Sequence, residues 1–291
     1  MPNLENFLVY SPWQFDLVRH LLQLTVAAFA AGFVYFLATA NQVAPRYQLA
    51  STISAVVMVS ATLEIGQLYF NWAGSFTFFP AQGVWRPNDG ELFSNGFRYV
   101  NWSIDVPMLL TQLLVVLGLT ARAFWSEWWK LAIAGLLMIW TGYAGQFFEP
   151  AVAGIGSGTA MPFWVWGAVS TVFFVYVLYR VGMLIGRPPE PMGKDAHRNL
   201  RYCFWITLFS WTLYPLAYGI PAVWPDVNGM VARQVLFTIA DITSKLIFGI
   251  VLGRVARLRS KELGWQPALL VDSELPSPAA PIQQQTESIG G

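Results

Sequence analysis

Two stretches of the chain carry ionisable residues inside long apolar segments. In the first, Arg98, Asn101, Asp105 and Gln112 are separated by three, four and seven residues. On a helix, at about 100° per residue, these four side chains lie on one face. If the segment spans a bilayer, an Arg or Asp within it costs several kcal/mol unless it meets a partner charge or water. The polar stripe therefore requires an opposite charge elsewhere in the chain.

The second stretch supplies that charge. Lys245 lies 17 residues after the predicted start of its segment at 228, about 25 Å along the helix axis and too deep to snorkel to a surface. Asp241 precedes it by one turn. A desolvated lysine is suited to Schiff-base formation with an aldehyde, and a protonated imine would take Asp105 and Asp241 as counterions, with Arg98 and Arg233 balancing the second carboxylate. The alternative, a Lys–Asp pair that serves packing alone, is disfavoured in a membrane span.

Composition indicates a helical membrane protein. Hydrophobic residues make up 55% of the 291 residues and charged residues 11%, whereas a soluble domain carries about 25% charged residues. The apolar segments are about 20 to 27 residues long, enough to cross a hydrocarbon core of about 30 Å. They lack the alternation of apolar and polar residues that is typical of strands in outer-membrane β-barrels. The net charge of +1 gives no reason to expect a nucleic-acid partner.

The predicted fold class is an all-α membrane protein, a seven-transmembrane-helix bundle. An N-terminal interfacial segment (1–14) precedes the bundle domain (15–262), and the Pro, Gln and Ser content of 263–291 predicts a disordered cytoplasmic tail. The connection 73–90, with a turn signal at Pro87-Asn-Asp-Gly90, predicts a short surface hairpin. The seven spans are predicted at about 15–40, 46–72, 92–119, 126–147, 159–184, 196–219 and 228–259.

The distribution of Lys and Arg predicts the orientation. Basic residues concentrate in the connections after the first, third and fifth spans and at the end of the seventh. Because cytoplasmic loops carry the excess of positive charge, the N-terminus is predicted outside and the C-terminus inside. We expect a multi-pass protein of the cell's inner (plasma) membrane, with the lipid bilayer as its surroundings.

These features together resemble the microbial (type 1) rhodopsins. The resemblance rests on seven spans, a Lys in the middle of the last with Asp four residues before it, and Arg98-Tyr-x-x-Trp102 in the third. It covers about residues 5–262. In that family the lysine binds all-trans-retinal, so the resemblance implies a covalent retinal at Lys245. It also implies a retinal pocket that contains Trp102, Gly142, Trp211, Tyr214, Pro215 and Ser244.

The triplet Asn101, Asp105 and Gln112 is similar to that of the light-driven sodium-pumping rhodopsins, and the run Ala232-Arg-Gln234 extends the match. The resemblance implies a transporter rather than an enzyme, exporting Na⁺ in the light. Asp105 would transiently accept the Schiff-base proton so that Na⁺ can pass, bound only transiently near Asn101 and Asp241. Proton pumping is expected without Na⁺. The alternatives are an outward proton pump only and a photosensory rhodopsin.

The same resemblance implies further ion-path residues. Ser60 would lie near the counterion and Ser51 would line the uptake cavity, although helix serines also bond to their own carbonyls. Gln146 and Glu149 would mark the outer exit, with simple solvation as the alternative for Glu149. Glu91 resembles an ion contact between subunits, and the resemblance implies a homo-oligomer, a pentamer.

Glu64 departs from the subfamily, which commonly has an apolar residue at this position. It lies one turn outside Ser60 on the second span. Our hypothesis is that Glu64 shares a hydrogen bond with the Asp105 cluster or lines the sodium release path. The alternative, a side chain that faces lipid or a neighbouring helix, would be costly in a bilayer.

Overall fold

The computed structural model describes residues 3–150 and 160–265, and within them the chain forms seven long helices and one two-stranded hairpin. The predicted fold class is confirmed. Of the predicted tail, 263–265 continue from the last helix, and 266–291 lie outside the described residues. The helices are α1 Pro12–Thr39, α2 Pro45–Gly74, α3 Gly96–Leu117, α4 Ala121–Gln146, α5 Ala160–Gly186, α6 Lys194–Val223 and α7 Val227–Glu262.

All of these helices except α4 combine the length and the hydropathy needed to cross a membrane. The remaining helix, α4, has 26 residues, which at 1.5 Å per residue is also long enough. The chain is therefore a multi-pass membrane protein. Seven spans were expected, and each has a helix in the structure.

Two helices begin a few residues away from the predicted positions, for local reasons. Helix α1 begins at Pro12, not at 15, so the predicted boundary between 14 and 15 falls inside a helix. Pro is favoured in a first turn, and the Gln14 side chain accepts a hydrogen bond from the Ser11 backbone N–H at 2.9 Å. Helix α3 begins at Gly96 rather than 92, because the Asn6 side chain holds the backbone of Phe93 outside the helix.

The predicted hairpin is present, with its turn in a different place. Strand β1 (Phe76–Phe79) pairs antiparallel with β2 (Val84–Pro87). The chain turns at 80–83, where Gly83 has a φ of +64° that favours glycine, whereas the Pro87–Gly90 signal follows β2. Tyr10 extends the hairpin by exchanging two backbone hydrogen bonds with Trp85, at 2.9 and 2.8 Å. We call this end of the bundle, which contains residues 3–10 and the hairpin, the hairpin side.

The predicted interfacial segment is a buried cap on the hairpin side. A 3₁₀ turn covers Leu4–Phe7, and Asn3, Leu4 and Glu5 have no exposed surface. Asn6 donates to the Phe93 carbonyl and accepts from the Phe93 N–H, each at 2.8 Å. These bonds hold the cap against the start of α3.

Helix α7 contains a π-helical turn. An α-helix runs over Val227–Asp241, a π-helix over Ile242–Ile247, and α-helical geometry resumes over Phe248–Glu262. Single π turns within α-helices are often found at functional sites. Lys245 lies inside this turn and Asp241 directly before it.

The Asn6→Ala substitution is expected to destabilise the protein. It would leave the buried Phe93 N–H and carbonyl without the partner described above, at about 1–3 kcal/mol for each group. At roughly 2–4 °C per kcal/mol, the melting temperature should fall by at least about 4 °C, measured by circular dichroism in detergent. Asn41→Ala, at an exposed position, is the control and should shift stability by no more than about 0.5 kcal/mol. Equal shifts for the two variants would contradict the role given to Asn6.

Candidate functional site

Lys245 lies at the centre of the bundle with three oxygen atoms around its ammonium group. The Lys245 Nζ donates to Asn101 Oδ1 at 2.7 Å. It also lies 3.1 Å from Asp105 Oδ2 and 3.3 Å from Asp241 Oδ1. Only 2% of the lysine is exposed. The opposite charge predicted for the polar stripe of α3 is therefore in place, and two helices share one buried charge cluster.

Arg98 completes the charge balance around Asp241. Its Nη1 donates to Asp241 Oδ2 at 2.7 Å, and its Nη2 donates to Gln234 Oε1 at 3.1 Å. The Tyr214 hydroxyl donates to Asp241 Oδ1 at 2.8 Å. Two cations thus face two carboxylates, Asp105 and Asp241, with no excess charge in the cluster. The predicted contribution of Arg233 to this balance is wrong, because that residue pairs with other carboxylates, as described below.

Two polar residues of α2 lie beside the cluster. Ser60 Oγ accepts a hydrogen bond from Asn101 Nδ2 at 2.7 Å, which leaves the Asn101 carbonyl oxygen directed at Lys245. Glu64 is 8% exposed, and among residues 3–150 and 160–265 neither of its carboxyl oxygens has a hydrogen-bond partner. Arg98 and Lys245 act electrostatically on this carboxyl group, as do Asp241 and Asp105. Glu64 therefore faces the bundle interior and not lipid.

A cavity of about 670 Å³ extends from Lys245 between α3, α4, α5 and α6. Its wall is mainly apolar and aromatic, and Lys245 and Asp105 supply the charged groups at one end. A long apolar molecule with one reactive polar end would fit such a space. The cavity wall includes all six residues predicted for a chromophore pocket, Trp102, Gly142, Trp211, Tyr214, Pro215 and Ser244.

The fold of this chain recurs in proteins of known structure. The family model described as bacteriorhodopsin-like protein matches residues 16–258. The chain belongs to the bacteriorhodopsin-like family. Among solved structures, thermophilic rhodopsin superposes with a TM-score of 0.81 at 32% identity, over 89% of this chain and 99% of that one. Xanthorhodopsin, described as a light-driven ion pump with dual chromophore, superposes with a TM-score of 0.79 at 31% identity, with the same coverage of both chains.

Curated relatives agree with this membership. The green-light absorbing proteorhodopsin of gamma-proteobacterium EBAC31A08 is 24% identical over 234 residues, which are 80% of this chain and 84% of that protein. Archaerhodopsin-3 of Halorubrum sodomense is 28% identical over 183 residues, 63% of this chain and 62% of that protein.

A second buried charge cluster lies on the hairpin side of this rhodopsin-family bundle. Arg233 is fully buried and pairs with Glu149 at 2.8 Å and with Glu5 at 3.3 Å. Its Nη2 also donates to Gln146 at 3.0 Å. Glu149 is 8% exposed and accepts from the Leu4 backbone N–H at 2.8 Å, so the solvation alternative for Glu149 is wrong. The prediction placed Gln146 and Glu149 together but lacked Glu5 and Arg233, which complete the cluster.

A chain of side-chain contacts joins the two clusters. Gln234 accepts from Arg98 of the lysine cluster and donates to Glu5 Oε1 at 2.7 Å. It also donates to Asn95 Oδ1 at 3.0 Å. Glu5 in turn lies against Arg233. A continuous polar route thus runs from Asp241 to the N-terminal cap.

The opposite half of the bundle is less polar. Gln112 Oε1 accepts a hydrogen bond from Ser54 Oγ at 2.9 Å, both side chains being buried. Ser51 is buried too and lines a small cavity together with Ser54, Thr39 and Arg257. Ser54, the direct partner of Gln112, had no predicted role. Within the described residues, no carboxylate lines this small cavity.

Glu91 lies apart from both clusters. It is exposed, and its Oε1 accepts a hydrogen bond from Asn71 Nδ2 at 3.0 Å, at the end of α2. A Cβ on Gly74 would lie 2.6 Å from Glu91 Oε2, so the carboxylate rests on the last turn of that helix. The position on the outside of the bundle is compatible with a contact to another molecule.

Glu5→Gln is expected to change how stability depends on pH. Burial raises the pKa of Glu5, and the charge of Arg233 opposes this shift. The folded chain therefore retains the Glu5 proton to higher pH than the unfolded chain, whose carboxyl pKa is about 4.3. At pH values between the unfolded-state pKa and the higher folded-state pKa of Glu5, the folded chain binds more protons than the unfolded chain. The free energy of unfolding therefore falls as pH rises through this range.

In Glu5→Gln, the decrease of stability with rising pH should be smaller than in the parent. Melting temperatures between pH 4 and 8 would measure the difference. Asp89→Asn, at an exposed position near the hairpin, is the control and should keep the parental slope. A Glu5→Gln slope identical to that of the parent would rule out this role for Glu5.

Proposed function

We propose that the protein is a light-driven outward sodium pump of the sodium-pumping rhodopsin subfamily. The observation that carries the proposal is the contact of Lys245 with Asn101 and Asp105. A neutral amide oxygen and one carboxylate of α3 face the ammonium group, at 2.7 and 3.1 Å. The amide is an oxygen ligand without a charge, and the carboxylate is a proton acceptor. Both are needed if a proton and a metal cation are to use the same site in turn.

The residues fit retinal as the chromophore. The cavity begins at Lys245 Nζ, which would hold the aldehyde carbon, and Trp102, Trp211 and Tyr214 would enclose the polyene. A Cβ on Gly142 would lie 3.4 Å from both Ser170 Oγ and Tyr99 Cε1, so the glycine leaves room for the ring end. Bound to Lys245 as an imine, retinal supplies absorption of visible light and a change of shape on isomerisation.

Removal of one proton opens the site for a cation. Two unit charges 4 Å apart repel each other by about 4 kcal/mol at an effective dielectric constant near 20. In the proposal, the proton on Lys245 Nζ moves to Asp105 Oδ2, its neighbour at 3.1 Å. Asp105 becomes neutral, and the positive charge at Lys245 is lost. Na⁺ then passes, transiently held by the Asn101 carbonyl oxygen and the Asp241 carboxylate, the hard oxygen ligands that such ions prefer.

The opposite half of the bundle supports the same direction of transport. Gln112 bonds to Ser54 and offers no acidic proton. Without a proton donor there, Asp105 would return its own proton to Lys245, and Na⁺ would enter past Ser51 and Gln112. On the hairpin side, the polar route through Arg98, the Gln146–Glu149 pair and Arg233 would be the exit. Without Na⁺, we expect outward proton transport by the same groups.

The proposal includes orientation and assembly. The N-terminus would lie outside and the C-terminus in the cytoplasm of the cell, with the bundle in the plasma membrane. The concentration of Lys and Arg in the connections after α1, α3 and α5 supports this orientation. A pentamer would bring the exposed Glu91 to a subunit boundary, where it would contact an ion.

An outward proton pump is the second candidate, because Asp105 is well placed to accept a proton whether or not Na⁺ follows. A photosensory role is the third. Light-induced pH changes in suspensions of expressing cells separate them. Sodium export should give external alkalinisation in NaCl that a protonophore enhances, because the exported charge draws protons inward.

In KCl with the protonophore, the signal should vanish. Asp105→Asn should lower the initial rate at least about 100-fold, as expected for loss of a proton acceptor. Asp89→Asn, the same chemical change at an exposed position near the hairpin, is the matched control and should keep the parental rate in the same cell suspensions. Acidification in NaCl that the protonophore abolishes would instead establish the proton pump. The absence of any light-dependent signal would favour the photosensor.

Glu64 is proposed to share the titration of the Asp105 cluster. Its buried carboxyl group has no hydrogen-bond partner among the described residues, so a proton, water or a passing cation must compensate for its burial. Asp105 acts electrostatically on Glu64, and carboxyl groups that interact strongly titrate as a coupled pair. Glu64→Gln should therefore change the absorption titration of the chromophore between pH 4 and 10. A titration that superposes on that of the parent, with Glu91→Gln measured in parallel, would eliminate this role.

A further inference from the structure

The connection between α5 and α6 is fastened across the end of the bundle opposite the hairpin side. Residues 187–193 form this connection, which we call the strap. The Glu190 side chain of the strap reaches two other helices. Its Oε1 accepts a hydrogen bond from Arg46 Nη2, in the first turn of α2, at 3.0 Å. Its Oε2 accepts from Arg259 Nη2, near the end of α7, at 2.7 Å. One carboxylate thus ties the strap to α2 and α7.

Gly118 provides the space that this carboxylate occupies. The glycine follows the last residue of α3 and has a φ of +72°, a backbone conformation that favours glycine. A Cβ at this position would overlap Glu190 Oε2 and would lie 3.1 Å from Arg46 Nη2. The strap therefore lies against the end of α3 as well.

Arg259 fastens the strap at a second point. Its side chain is buried, and its Nη1 donates to the Pro191 carbonyl at 2.6 Å and to Glu262 Oε2 at 3.0 Å. Glu262 Oε1 in turn accepts from the Gly193 N–H at 3.1 Å. Hydrogen bonds that involve a charged group are roughly twice as strong as neutral ones. The strap is thus held on α7 by its backbone as well as by Glu190.

The small cavity that contains Ser51 lies further inside the bundle, along the same helices. Ala50, which lines this cavity, follows Arg46 by four residues, and Arg259 follows the lining residue Leu252 by seven. Residues at these spacings lie on the same face of a helix. A direct path along these faces, from the end of the bundle into the cavity, therefore passes the strap.

The attachment of the strap to α2 is suited to opening. The Glu190 and Arg46 side chains are 36% and 42% exposed, so water can replace their pairing at little cost in free energy. Surface segments that are held by such exposed contacts open locally while the core of a protein stays folded. The buried Arg259 would keep the strap attached to α7 when the contact to α2 is broken.

We propose that Glu190 is a positioning residue that holds the strap closed over the small cavity, so that a cation enters this end of the bundle only when the strap opens. The second part of the inference rests on the proposed function, in which Na⁺ enters past Ser51. A cation that binds only to the open form has an apparent affinity proportional to the fraction of open molecules. Glu190 would thus set the Na⁺ concentration that the pump requires.

The first test measures access to the small cavity in the dark. Ser51→Cys in a Cys203→Ser background leaves a single thiol in the chain, in the cavity wall. The rate at which a water-soluble cationic methanethiosulfonate modifies this thiol reports the opening. In the purified full-length protein, Glu190→Gln should raise the rate at least about threefold, because a partly exposed ion pair and the bond to Arg259 are weakened together.

Glu127→Gln is the matched control. Glu127 forms ion pairs with Lys130 of its own helix, α4, and with Arg180 of α5, at the same end of the bundle. The change affects two ion pairs, as Glu190→Gln does, but neither of them reaches α2 or α7. The thiol should therefore react at the parental rate in this variant.

The second test measures light-driven transport without the reporter cysteine. Vesicles are equilibrated with the same NaCl concentration on both sides, and the initial pH change with a protonophore is recorded over a series of concentrations. In Glu190→Gln, the NaCl concentration at half-maximal rate should fall about threefold, in proportion to the larger open fraction. The maximal rate should stay parental, because the strap does not contact Lys245 or its partners.

A parental thiol reaction in Glu190→Gln, or an equal rise in Glu127→Gln, would overturn the proposal. If Glu190→Gln yields no folded protein, Arg46→Gln breaks the same contact to α2 and carries the same expectation. A faster thiol reaction with an unchanged half-maximal NaCl concentration would overturn the role in uptake and leave the strap a packing element. Absence of light-driven Na⁺ transport in the unmodified protein would instead refute the proposed function, while the thiol reaction would still decide whether the strap closes the cavity.

Discussion

The burial of one ammonium group is the constraint on which the rest of the structure depends. An isolated charge at the centre of a bilayer-spanning bundle costs several kcal/mol, and Lys245 meets this cost with two carboxylates and an amide from two helices. Those carboxylates in turn need Arg98, which is fully buried against Asp241. Removal of a single member would leave an uncompensated buried charge, a change that typically costs 3–5 kcal/mol. The cluster therefore fixes how α3 and α7 lie against each other.

The second cluster extends the same principle to the end of the bundle. Arg233 carries one positive charge against two carboxylates, Glu5 and Glu149. With both carboxylates ionised, this cluster has a net charge of −1, whereas Lys245 and Arg98 balance Asp105 and Asp241 in the lysine cluster. Gln234 joins the two clusters with hydrogen bonds to Arg98 and Glu5. The two clusters are thus parts of one hydrogen-bonded network. The N-terminal cap is part of this electrostatic unit.

The charge cluster could be predicted from sequence because its members follow a regular spacing. Arg98, Asn101 and Asp105 recur on one helical face, and Asp241 precedes Lys245 by one turn, so helix geometry alone brings each set together. Glu149 could not be placed in this way, since its partners Glu5 and Arg233 are 144 and 84 residues distant along the chain. Its position depends on how a short 3₁₀ turn folds back onto the bundle.

Tyr218, which lines the cavity, was not predicted, for a different reason. An aromatic residue in a membrane span is usually ordinary packing, and the position of Tyr218 depends on Phe163 and on glycines of two other helices. The start of α1 was missed because a side chain of its first turn bonds to the preceding backbone, a detail that hydropathy does not contain. Long apolar segments and their spacing were thus predictable, whereas contacts between distant segments were not.

The π-helical turn at Ile242–Ile247 has a consequence for protein engineering. A π turn holds one residue more than an α turn, so conversion of the turn to regular α-helix with every residue retained would rotate each later position by about 100°. Chimeras that join this last helix to that of a relative should therefore be spliced before Asp241 or after Ile247. A junction inside the turn would change which residues of the following helix face the bundle interior, even with every amino acid on either side retained.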